Sequence, residues 1–389
     1  MVWHERFKCL SVVIYRLTTV SHVRVGSGEN IKLPTPVDNP QTRILRLVPA
    51  KQEEKWLVYI PGSSLHGVIR SALEDYLRTV AYNDSTKNVG QLLNSLDNKK
   101  LKDWMQKEVN KYRSAVPGID ELLLFPEVCY PTLTFDACQW PPDQQHVEYY
   151  KKVGRVSKEN EEPIPCLVCQ LFGAPGLRGR VRILNAYPSK ETAERLPLEV
   201  ITRVAINRVT GAAEERRLFD LEAIPPGATF YFAVVIDNGC ISPKIPKDST
   251  ILQKLGLNEL NFEKLFETGL KMVSSGLVPI GAHGGVGFGL VEIKEVGRLN
   301  IQEGRMSEFL EGLVNKNLQG FLEKHQDALI LPKDKECPSI DEELYPLIVR
   351  ELAKAIKSDK EVASMCNQKE QQTAQSQASG QVGGGGNVA

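Results

Sequence analysis

Runs and alternations of apolar residues divide the chain into strands and helices. Residues 7–20 (FKCLSVVIYRLTTV) are rich in β-branched and apolar types, which predicts a long first strand. Ser63 or Ser64 can cap a helix whose apolar positions recur at helical spacing from Leu65 to Leu77. Further strands are predicted over 56–60, 180–186, 202–207, 229–236 and 290–296, and further helices over 91–112, 262–273, 307–328 and 341–365.

The order strand, helix, strands, helix, strand predicts an α+β fold. It is typical of a ferredoxin-like or RRM-like antiparallel sheet core, here with a large insertion or lid and C-terminal helices. The predicted boundaries are 1–81 and 166–300 for the core, about 202–228 for an extended hairpin, 82–165 for the inserted helical region, 301–366 for the C-terminal helices and 367–389 for a Gln/Ser/Gly-rich disordered tail. Because this fold carries many functions, the site residues must decide between them.

Composition excludes several classes of protein. The 389 residues include 48 Lys+Arg, 48 Asp+Glu and 42% hydrophobic residues, enough for a packed core. No apolar run reaches the ~18 residues of a membrane span, and the N-terminus MVWHERFK is too charged for a signal peptide. We therefore expect a cytoplasmic protein with no membrane partner.

Charge is distributed unevenly along the chain despite the balanced total. Residues 176–217 hold nine Lys/Arg against five Asp/Glu, whereas residues 301–370 hold ten against fourteen. A basic middle and an acidic C-terminal end indicate that one surface of the protein binds a charged partner, and nucleic acid remains a candidate for it. The alternative is that the imbalance reflects solvated helices.

The cysteines suggest a metal site. Eight cysteines in a chain of this size without a leader do not indicate a disulfide scaffold. Cys166 and Cys169 form a CxxC pair, which can be half of a zinc site, and Cys129, Cys138 and His146 lie upstream as candidates for the other ligands. The alternative is that the pair are buried thiols in the core.

A glycine-rich run, 281–289, can approach a ligand closely and expose backbone N–H groups to phosphates. It follows a helix and precedes a strand, the reverse of a P-loop or Rossmann fingerprint, so nucleotide-cofactor functions are excluded. His66 and Arg70 lie four apart on the predicted helix, which indicates a shared exposed face near its positive end. The alternative for the glycine run is a mobile turn.

Three separated segments together resemble the RAMP superfamily of CRISPR proteins. They are IPGSSLHGVIRSAL (60–73), CQLFGAPGLRGRVRILNA (169–186) followed by NRVTGAAEERRLFDLEAIPPGATF (207–230), and GAHGGVGFGLV (281–291). Their order and spacing are most similar to the backbone subunits of type III effector complexes, the Csm and Cmr groups of the Cas-seven type. The resemblance covers roughly residues 8–295.

The resemblance implies an RRM-like subunit that stacks along guide (CRISPR) RNA. Its partners would be that guide, complementary target RNA and other Csm/Cmr-type subunits, including the large polymerase-like subunit. The hairpin would be a thumb that reaches a neighbouring subunit. Contacts to phosphates position RNA without reading its sequence, as such a binder requires. The implied RNA-binding residues are Ser63, Ser64, His66, Arg70, Arg178, Arg180, Arg203, Arg208, Arg216, Arg217, Gly281, His283, Gly284, Gly285 and Gly287.

The resemblance also implies a ribonuclease site at Asp38. In backbone subunits that cut target RNA, an aspartate in the loop after the first strand supports cleavage dependent on Mg²⁺ (or Mn²⁺), and the loop here ends in PVDNP. A carboxylate can hold a hard cation that stabilises charge on the phosphorane. The alternative is that Asp-Asn-Pro makes a turn.

Departures from the family pattern leave other roles open. The family's first motif usually has Lys where His66 stands, and its glycine-rich loop usually carries Ser-Arg where this chain has Gly285-Val286. The chain can therefore be a non-catalytic terminal or paralogous subunit that only binds RNA and partners. Another alternative is a stand-alone, metal-independent guide-processing endoribonuclease, in which His22, His66 or His283 would act as general acid or base. The CxxC before LFG resembles a structural Zn²⁺ element of some relatives.

Overall fold

The structure is a computed structural model that describes residues 7–26, 43–48, 53–82, 86–195, 198–206, 208–209, 211–255, 259–315, 317–368 and 371. Side chains are not described at 43–48, 53–56, 195 and 213–218. Asp38 and nearly all of the predicted tail lie outside the described residues. Among the described residues, no helix combines the length and apolar character that a membrane crossing requires.

The described elements come in runs of strands and runs of helices along the chain. The strands are β1 (Cys9–Thr19), β2 (Arg43–Val48), β3 (Glu53–Val58), β4 (Val181–Ile183), β5 (Tyr187–Pro188), β6 (Glu199–Ile206), β7 (Ala213–Ala223), β8 (Thr229–Asp237), β9 (Val291–Gln302) and β10 (Leu329–Ile330). The helices are α1 (Gly62–Ala81), α2 (Val89–Asn94), α3 (Lys99–Tyr112), α4 (Gln144–Lys152), α5 (Leu167–Phe172), α6 (Lys190–Arg195), α7 (Ile251–Lys254), α8 (Phe262–Ser274), α9 (Met306–Val314), α10 (Leu318–Lys324) and α11 (Leu347–Ser358).

The main sheet has the strand order β10–β9–β1–β8–β4, with β5 pairing β8. Strands β1 and β9 pair antiparallel, from Cys9 opposite Gln302 to Thr19 opposite Val291, with an irregularity at Ile14/Tyr15. Without the short edge strand β10, the chain order β1–α1–β4–β8–α8–β9 and the sheet order β9–β1–β8–β4 are those of a split βαβ, ferredoxin-like sheet. The α+β prediction is therefore confirmed.

The chain divides into two compact units. The first comprises Met1–Lys8, Ser64–Arg182 and Ile236–Pro279 as far as they are described, and the second comprises the rest. The predicted insertion, 82–165, lies in the first unit. There α2, α3 and α4 enclose a core that includes Leu93, Met105, Phe135 and Tyr149. The insertion is helical as expected, while its status as a separate lid remains a prediction.

The C-terminal helices pack against the sheet in the second unit. Phe309 of α9, Phe321 of α10 and Leu352 of α11 share one buried cluster with Ile14 and Leu299 of the sheet. The single helix expected over 307–328 is two helices, because the Asn317 side chain caps a new start by accepting from the Gly320 N–H. The helix expected over 341–365 begins at Leu347 and is interrupted at Asp359, after which 360–368 is helical again.

Two local features differ from the sequence-based expectations. Strand β3 pairs with β2, for which the sequence pattern predicts no element. Cys337 and Cys366 form a disulfide, although the cysteine count did not indicate one. Their spacing of 29 residues carries no sequence signal, because only the fold of α11 and 360–368 brings the two thiols together.

Candidate functional site

Four cysteines of the first unit converge on one buried point. The Sγ atoms of Cys129, Cys138, Cys166 and Cys169 lie within 4.8 Å of one another, and all four residues are buried. The Sγ of Cys129 is 3.5 Å from that of Cys169 and 3.6 Å from that of Cys166. Four sulfurs around zinc at about 2.3 Å have edges of about 3.8 Å. The thiols therefore have nearly the spacing of a tetrahedral thiolate site.

The start of α5 sets the direction of the CxxC pair. Cys166 is the N-cap of this helix, and the backbone N–H of Cys169 donates to the Cys166 Sγ at 3.4 Å. The backbone N–H of Cys166 in turn donates to the Cys138 Sγ at 3.3 Å. Hydrogen bonds donated to sulfur favour the thiolate, which is the form that binds metals.

Two arginines also face the sulfurs. Arg70 donates from Nη2 to the Cys169 Sγ at 3.3 Å, and Arg155 approaches the Cys138 Sγ from Nη1 at 3.8 Å. Burial works to raise the pKa of the Cys166 thiol, but hydrogen bonds from the other three thiols and the charge of Arg155 hold that pKa well below its usual value. Hydrogen bonds with the neighbouring thiols raise the pKa of Cys129 and of Cys169, so without a metal Cys166 is the thiol that ionises first. A buried set of four sulfurs with no open position fits structural zinc rather than a catalytic metal.

His146 does not join this cluster. It lies in the first turn of α4, where its Nδ1 is 2.8 Å from the Oδ1 of Asp143, the N-cap of the helix. Its Nε2 is 3.1 Å from the carbonyl oxygen of Thr134, and its ring packs edge-on against Trp104. Both ring nitrogens are thus occupied elsewhere, which corrects the five-residue candidate set to four cysteines.

The start of helix α1 is tightly built. A Cβ on Gly62 would lie 2.3 Å from the carbonyl oxygen of Ile183, so only glycine fits there. Ser63 is exposed and Ser64 is half-buried. His66 stacks edge-on against Phe172, with ring centroids 4.9 Å apart. Burial first, and the charge of Arg70 second, lower the pKa of His66, so the ring is neutral at pH 7.

Arg70 turns inward rather than sharing an exposed face with His66. Its guanidinium contacts Glu74 (2.9 Å), the carbonyl oxygen of Gly173 (3.1 Å) and the Cys169 Sγ. Its side chain is only 20% exposed. The sequence pattern predicts an exposed position because Arg70 lies off the apolar stripe of the helix, and its contact with Cys169, 99 residues later, leaves no local signal. The assignment of Arg70 to RNA binding therefore has no support from its geometry.

In the second unit, the glycine-rich loop is anchored beside the segment that follows β1. The N–H of Ala282 donates to the Arg24 carbonyl at 2.9 Å, and that of Gly289 to the His22 carbonyl at 2.7 Å. Gly281 has φ +80°, and a Cβ there would lie 2.2 Å from the Arg24 carbonyl oxygen. At Gly285, by contrast, a Cβ would meet nothing within 4 Å. The loop thus has fixed ends and an open tip.

The tip of this loop is a single turn of 3-10 helix, Gly284–Val286, preceded by His283 in the left-handed region. The backbone N–H groups of Val286 and Phe288 donate to the His283 carbonyl, and that of Gly287 donates to the Gly284 carbonyl. These three donors are occupied within the loop. The expectation that the whole run offers successive N–H groups to phosphate is corrected accordingly.

Basic side chains surround the ring of Phe288 at the end of the loop. The guanidinium of Arg203 lies 4.7 Å from the ring centroid, and the rings of His22 and His283 lie 5.4 Å and 5.9 Å from it. Arg24 Nη1 is 3.5 Å from His283 Nε2. Burial, then the charges of Arg203 and Arg24, lower the pKa of His283. Arg203 and Arg24, rather than His283, therefore carry positive charge at this point of the loop.

The hairpin of β6 and β7 carries most of the remaining arginines. Arg203 opposes Phe219 across the pair, and the exposed positions Val200, Val204 and Ile206 alternate with it on β6. Arg208 is exposed at the turn. Arg216 and Arg217 lie on β7, where the side chains are not described. Strands β6 and β7 thus form a hairpin between 199 and 223, with Arg203 on the face toward Phe288, and its role as a thumb stays a prediction.

Arg178 and Arg180 occupy different environments. Arg178 is largely exposed and reaches Asp237 at 3.3 Å. Arg180 is buried over the ring of Phe262 at 4.4 Å, and burial lowers its pKa. Arg182, which the sequence did not single out, makes two hydrogen bonds with Asp237 at 2.7 Å and 2.8 Å. Of the predicted pair, only Arg178 lies where a phosphate could reach it.

One comparison with known proteins identifies the family of the chain. The family model of the RAMP superfamily matches residues 16–292. This span includes the four-cysteine cluster, the hairpin and the glycine-rich loop. It ends two residues into β9 and therefore stops before the C-terminal helices. No curated protein sequence matches the chain closely enough to supply a named relative.

Proposed function

The chain belongs to the RAMP superfamily, and on that premise we propose that it is an RNA-binding subunit of a CRISPR ribonucleoprotein. The observation that carries the proposal is the open glycine-rich loop with Arg24 and Arg203 beside it. Guanidinium groups bind phosphate oxygens through paired N–H donors, and contacts with phosphate carry no base-sequence information. Such a site suits a guide RNA of any sequence.

The finer assignment is a backbone-type subunit of a type III complex of the Csm or Cmr group, working in the cytoplasm. The hairpin supports it, because the exposed apolar positions Val200, Val204 and Ile206 give an extended arm a surface for a neighbouring subunit or a base pair. The partners would be guide RNA, complementary target RNA and other Csm/Cmr-type subunits, including the large polymerase-like one.

Cleavage of paired target RNA through Asp38 with Mg²⁺ or Mn²⁺ rests on the sequence motif alone. Its test is Asp38→Asn in a reconstituted complex. Loss of cleavage at regular sites, with guide binding retained, is the expected result. Unchanged cleavage would identify Asp38 as a turn residue and favour a terminal or paralogous subunit that only binds.

A structural Zn²⁺ in the four-cysteine cluster is part of the proposal. Cys129 and Cys138 lie in the segment between Glu121 and α4, and Cys166 and Cys169 lie at α5, so one ion would cross-link these two stretches of the first unit. Zinc bound by four thiolates contributes to folding and has no position left for substrate.

A second candidate function is metal-independent RNA cleavage. The observation that favours it is that two imidazoles, those of His22 and His283, both lie within 6 Å of the Phe288 ring centroid, at 5.4 Å and 5.9 Å. Histidines near a phosphate site can act as general acid and base. Cleavage that persists in a metal chelator and is lost in His22→Ala and His283→Ala would support it, and absence of chelator-resistant cleavage would reject it.

The experiment that tests RNA binding is purification of the tagged chain from its native host, with sequencing of the RNA and identification of the proteins that elute with it. Repeat-derived guide RNA together with other Csm or Cmr subunits is the expected result. Protein that elutes without such RNA, from cells that express the locus, would contradict the proposal.

A further inference from the structure

Arg70 connects three parts of the first unit. Its Nη2 donates to the Cys169 Sγ at 3.3 Å, its Nη1 to the Gly173 carbonyl at 3.1 Å, and its Nε to Glu74 at 2.9 Å. These partners belong to the cysteine cluster, to the residue that ends α5, and to helix α1 itself. Because a guanidinium is planar and rigid, fixing any one of these partners restricts the other two.

With zinc bound, the four-cysteine cluster would carry a net negative charge that the guanidinium of Arg70 can offset. Four thiolates around a divalent zinc ion carry a net charge of −2, and all four cysteines are buried. Arg155 cannot fully compensate this charge, because it is itself neutralised by Asp136 at 2.8 Å in an ion pair with no exposed side-chain surface. Glu74, the acidic partner of Arg70, is shared with Arg78 at 3.4 Å. Arg70 therefore keeps positive charge to offer to sulfur.

We propose that Arg70 is a positioning residue of the metal centre, which holds the Cys169 sulfur in its ligating position and ties metal occupancy to the placement of helix α1. Residues that hydrogen-bond to metal ligands orient those ligands and tune their affinity. The N–H···S bond would fix the direction in which the Cys169 sulfur points. The inference rests on the proposed zinc site, and it replaces a direct RNA contact for Arg70.

The geometry separates these two roles. A residue that contacts RNA phosphate presents its donors at the surface. In Arg70 the single N–H of Nε and one N–H of each Nη already donate to protein groups. Its side chain is 20% exposed, against 52% for Arg113 in the same unit. Among the described residues, Arg113 forms an ion pair with the exposed Asp120 alone, at 3.2 Å. It is a suitable control because it is an arginine of the same unit that does not contact the cysteines.

The test compares Arg70→Gln, Arg70→Lys and Arg113→Gln in the full chain purified with zinc. The rate at which a chromogenic chelator removes zinc, and the affinity for zinc in competition with it, are measured at neutral pH. Arg70→Gln is expected to weaken zinc binding about 10- to 100-fold, and Arg70→Lys, which keeps a charged N–H donor, less than that. Arg113→Gln should match the wild-type chain.

Two further readouts guard against a general loss of structure. Removal of zinc should lower the melting temperature of Arg70→Gln by less than it lowers that of the wild type, because the coupling between metal and helix is already broken. For RNA binding, a direct phosphate contact would reduce the slope of log affinity against log salt by about 1 on mutation, whereas a positioning residue leaves that slope unchanged.

Wild-type zinc affinity in Arg70→Gln, or a wild-type chain without zinc, would overturn the inference. A chain that binds no RNA would contradict the proposed function and leave the zinc measurements to decide the role of Arg70. If Arg70→Gln reduces the slope of log RNA affinity against log salt and retains zinc normally, Arg70 is a direct RNA contact and the inference is wrong.

Discussion

The guanidinium of Arg203 lies 4.7 Å from the ring centroid of Phe288, where strand β6 meets the end of the glycine-rich loop. A cation over an aromatic face contributes about 0.5–2 kcal/mol, depending on how far both groups are removed from water. Phe288 is 6% exposed and Arg203 is half-buried, so the cation lies at the boundary between the buried ring and water. The contact explains how a flexible side chain on a hairpin is kept beside the loop.

We predict that Gly281→Ala destabilises the second unit. At φ +80° an alanine is strained, and its Cβ would lie 2.2 Å from the Arg24 carbonyl oxygen, a backbone atom that cannot rotate away. The expected loss is at least about 1–3 kcal/mol in the free energy of unfolding. Denaturant titration of the purified chain measures it.

Gly285→Ala is the matched control in the same loop. A Cβ there meets nothing within 4 Å, so we expect a change within about 0.5 kcal/mol. Equal losses for the two variants would mean that the loop is not anchored to the segment after β1.

A second prediction concerns the buried ion pair of Arg155 and Asp136. Both side chains have no exposed surface, and Asp136 Oδ1 accepts at 2.8 Å from Arg155 and at 2.9 Å from the hydroxyl of Tyr149. Asp136→Asn leaves the guanidinium buried without its counter-charge, which costs about 3–5 kcal/mol. Asp120→Asn, which breaks the exposed pair with Arg113, should cost at most about 1 kcal/mol. A similar small loss for both would contradict the buried geometry.

The sequence predicts the regular elements well where apolar periodicity is strong. Strand β1, helix α1 and helix α8 lie within a few residues of their predicted positions, because each buries a continuous apolar face. The pattern misses β2, because its six residues, RILRLV, are few and do not alternate between polar and apolar types. It also joins α9 to α10, since the break depends on the Asn317 cap rather than on hydrophobicity.

We predict that stability falls at acidic pH in part through His66. Burial and the charge of Arg70 lower the pKa of His66 in the folded chain. The unfolded chain, with a histidine pKa of about 6.5, therefore binds the proton first as the pH falls. The free energy of unfolding should decrease from about pH 6.5 downward, until the pH passes the lower pKa of the folded state.

His66→Gln should flatten this dependence while leaving the other titrating groups in place. Urea titrations at about pH 5.5 and about pH 7.5, on either side of the ordinary histidine pKa, measure the difference. An identical dependence in wild type and variant would show that His66 is accessible to protons in the folded chain.

We also predict one zinc ion per chain, measured by elemental analysis of protein purified without added metal. Cys166→Ser removes one of four ligands and should abolish stoichiometric zinc and lower the melting temperature. Cys337→Ser breaks the disulfide with Cys366 in the second unit and should leave the zinc content unchanged. Zinc-free wild-type protein, purified without chelators, would reject the metal centre.

Only part of the candidate site could be predicted from the sequence. The CxxC pair is a local signal. The remaining two cysteines could be named as candidates because few residue types bind zinc. Arg24 was missed, since only its bridge to Gly281 brings it to the loop. Arg180 was expected to bind RNA, but an alternating strand pattern cannot tell that its partner is the buried ring of Phe262. Long-range contacts of this kind need the fold.

The central claim, that the glycine-rich loop and its two arginines bind RNA backbone, is tested most directly by salt-dependent RNA affinity. Fluorescence anisotropy with single-stranded RNA of guide length, at salt concentrations from about 50 to 200 mM, would compare the wild type with Arg24→Gln, Arg203→Gln and Arg113→Gln. We expect both loop variants to weaken binding for every RNA sequence and each to reduce the salt slope by about 1. Affinities and slopes equal to those of the wild type and of Arg113→Gln would contradict the account.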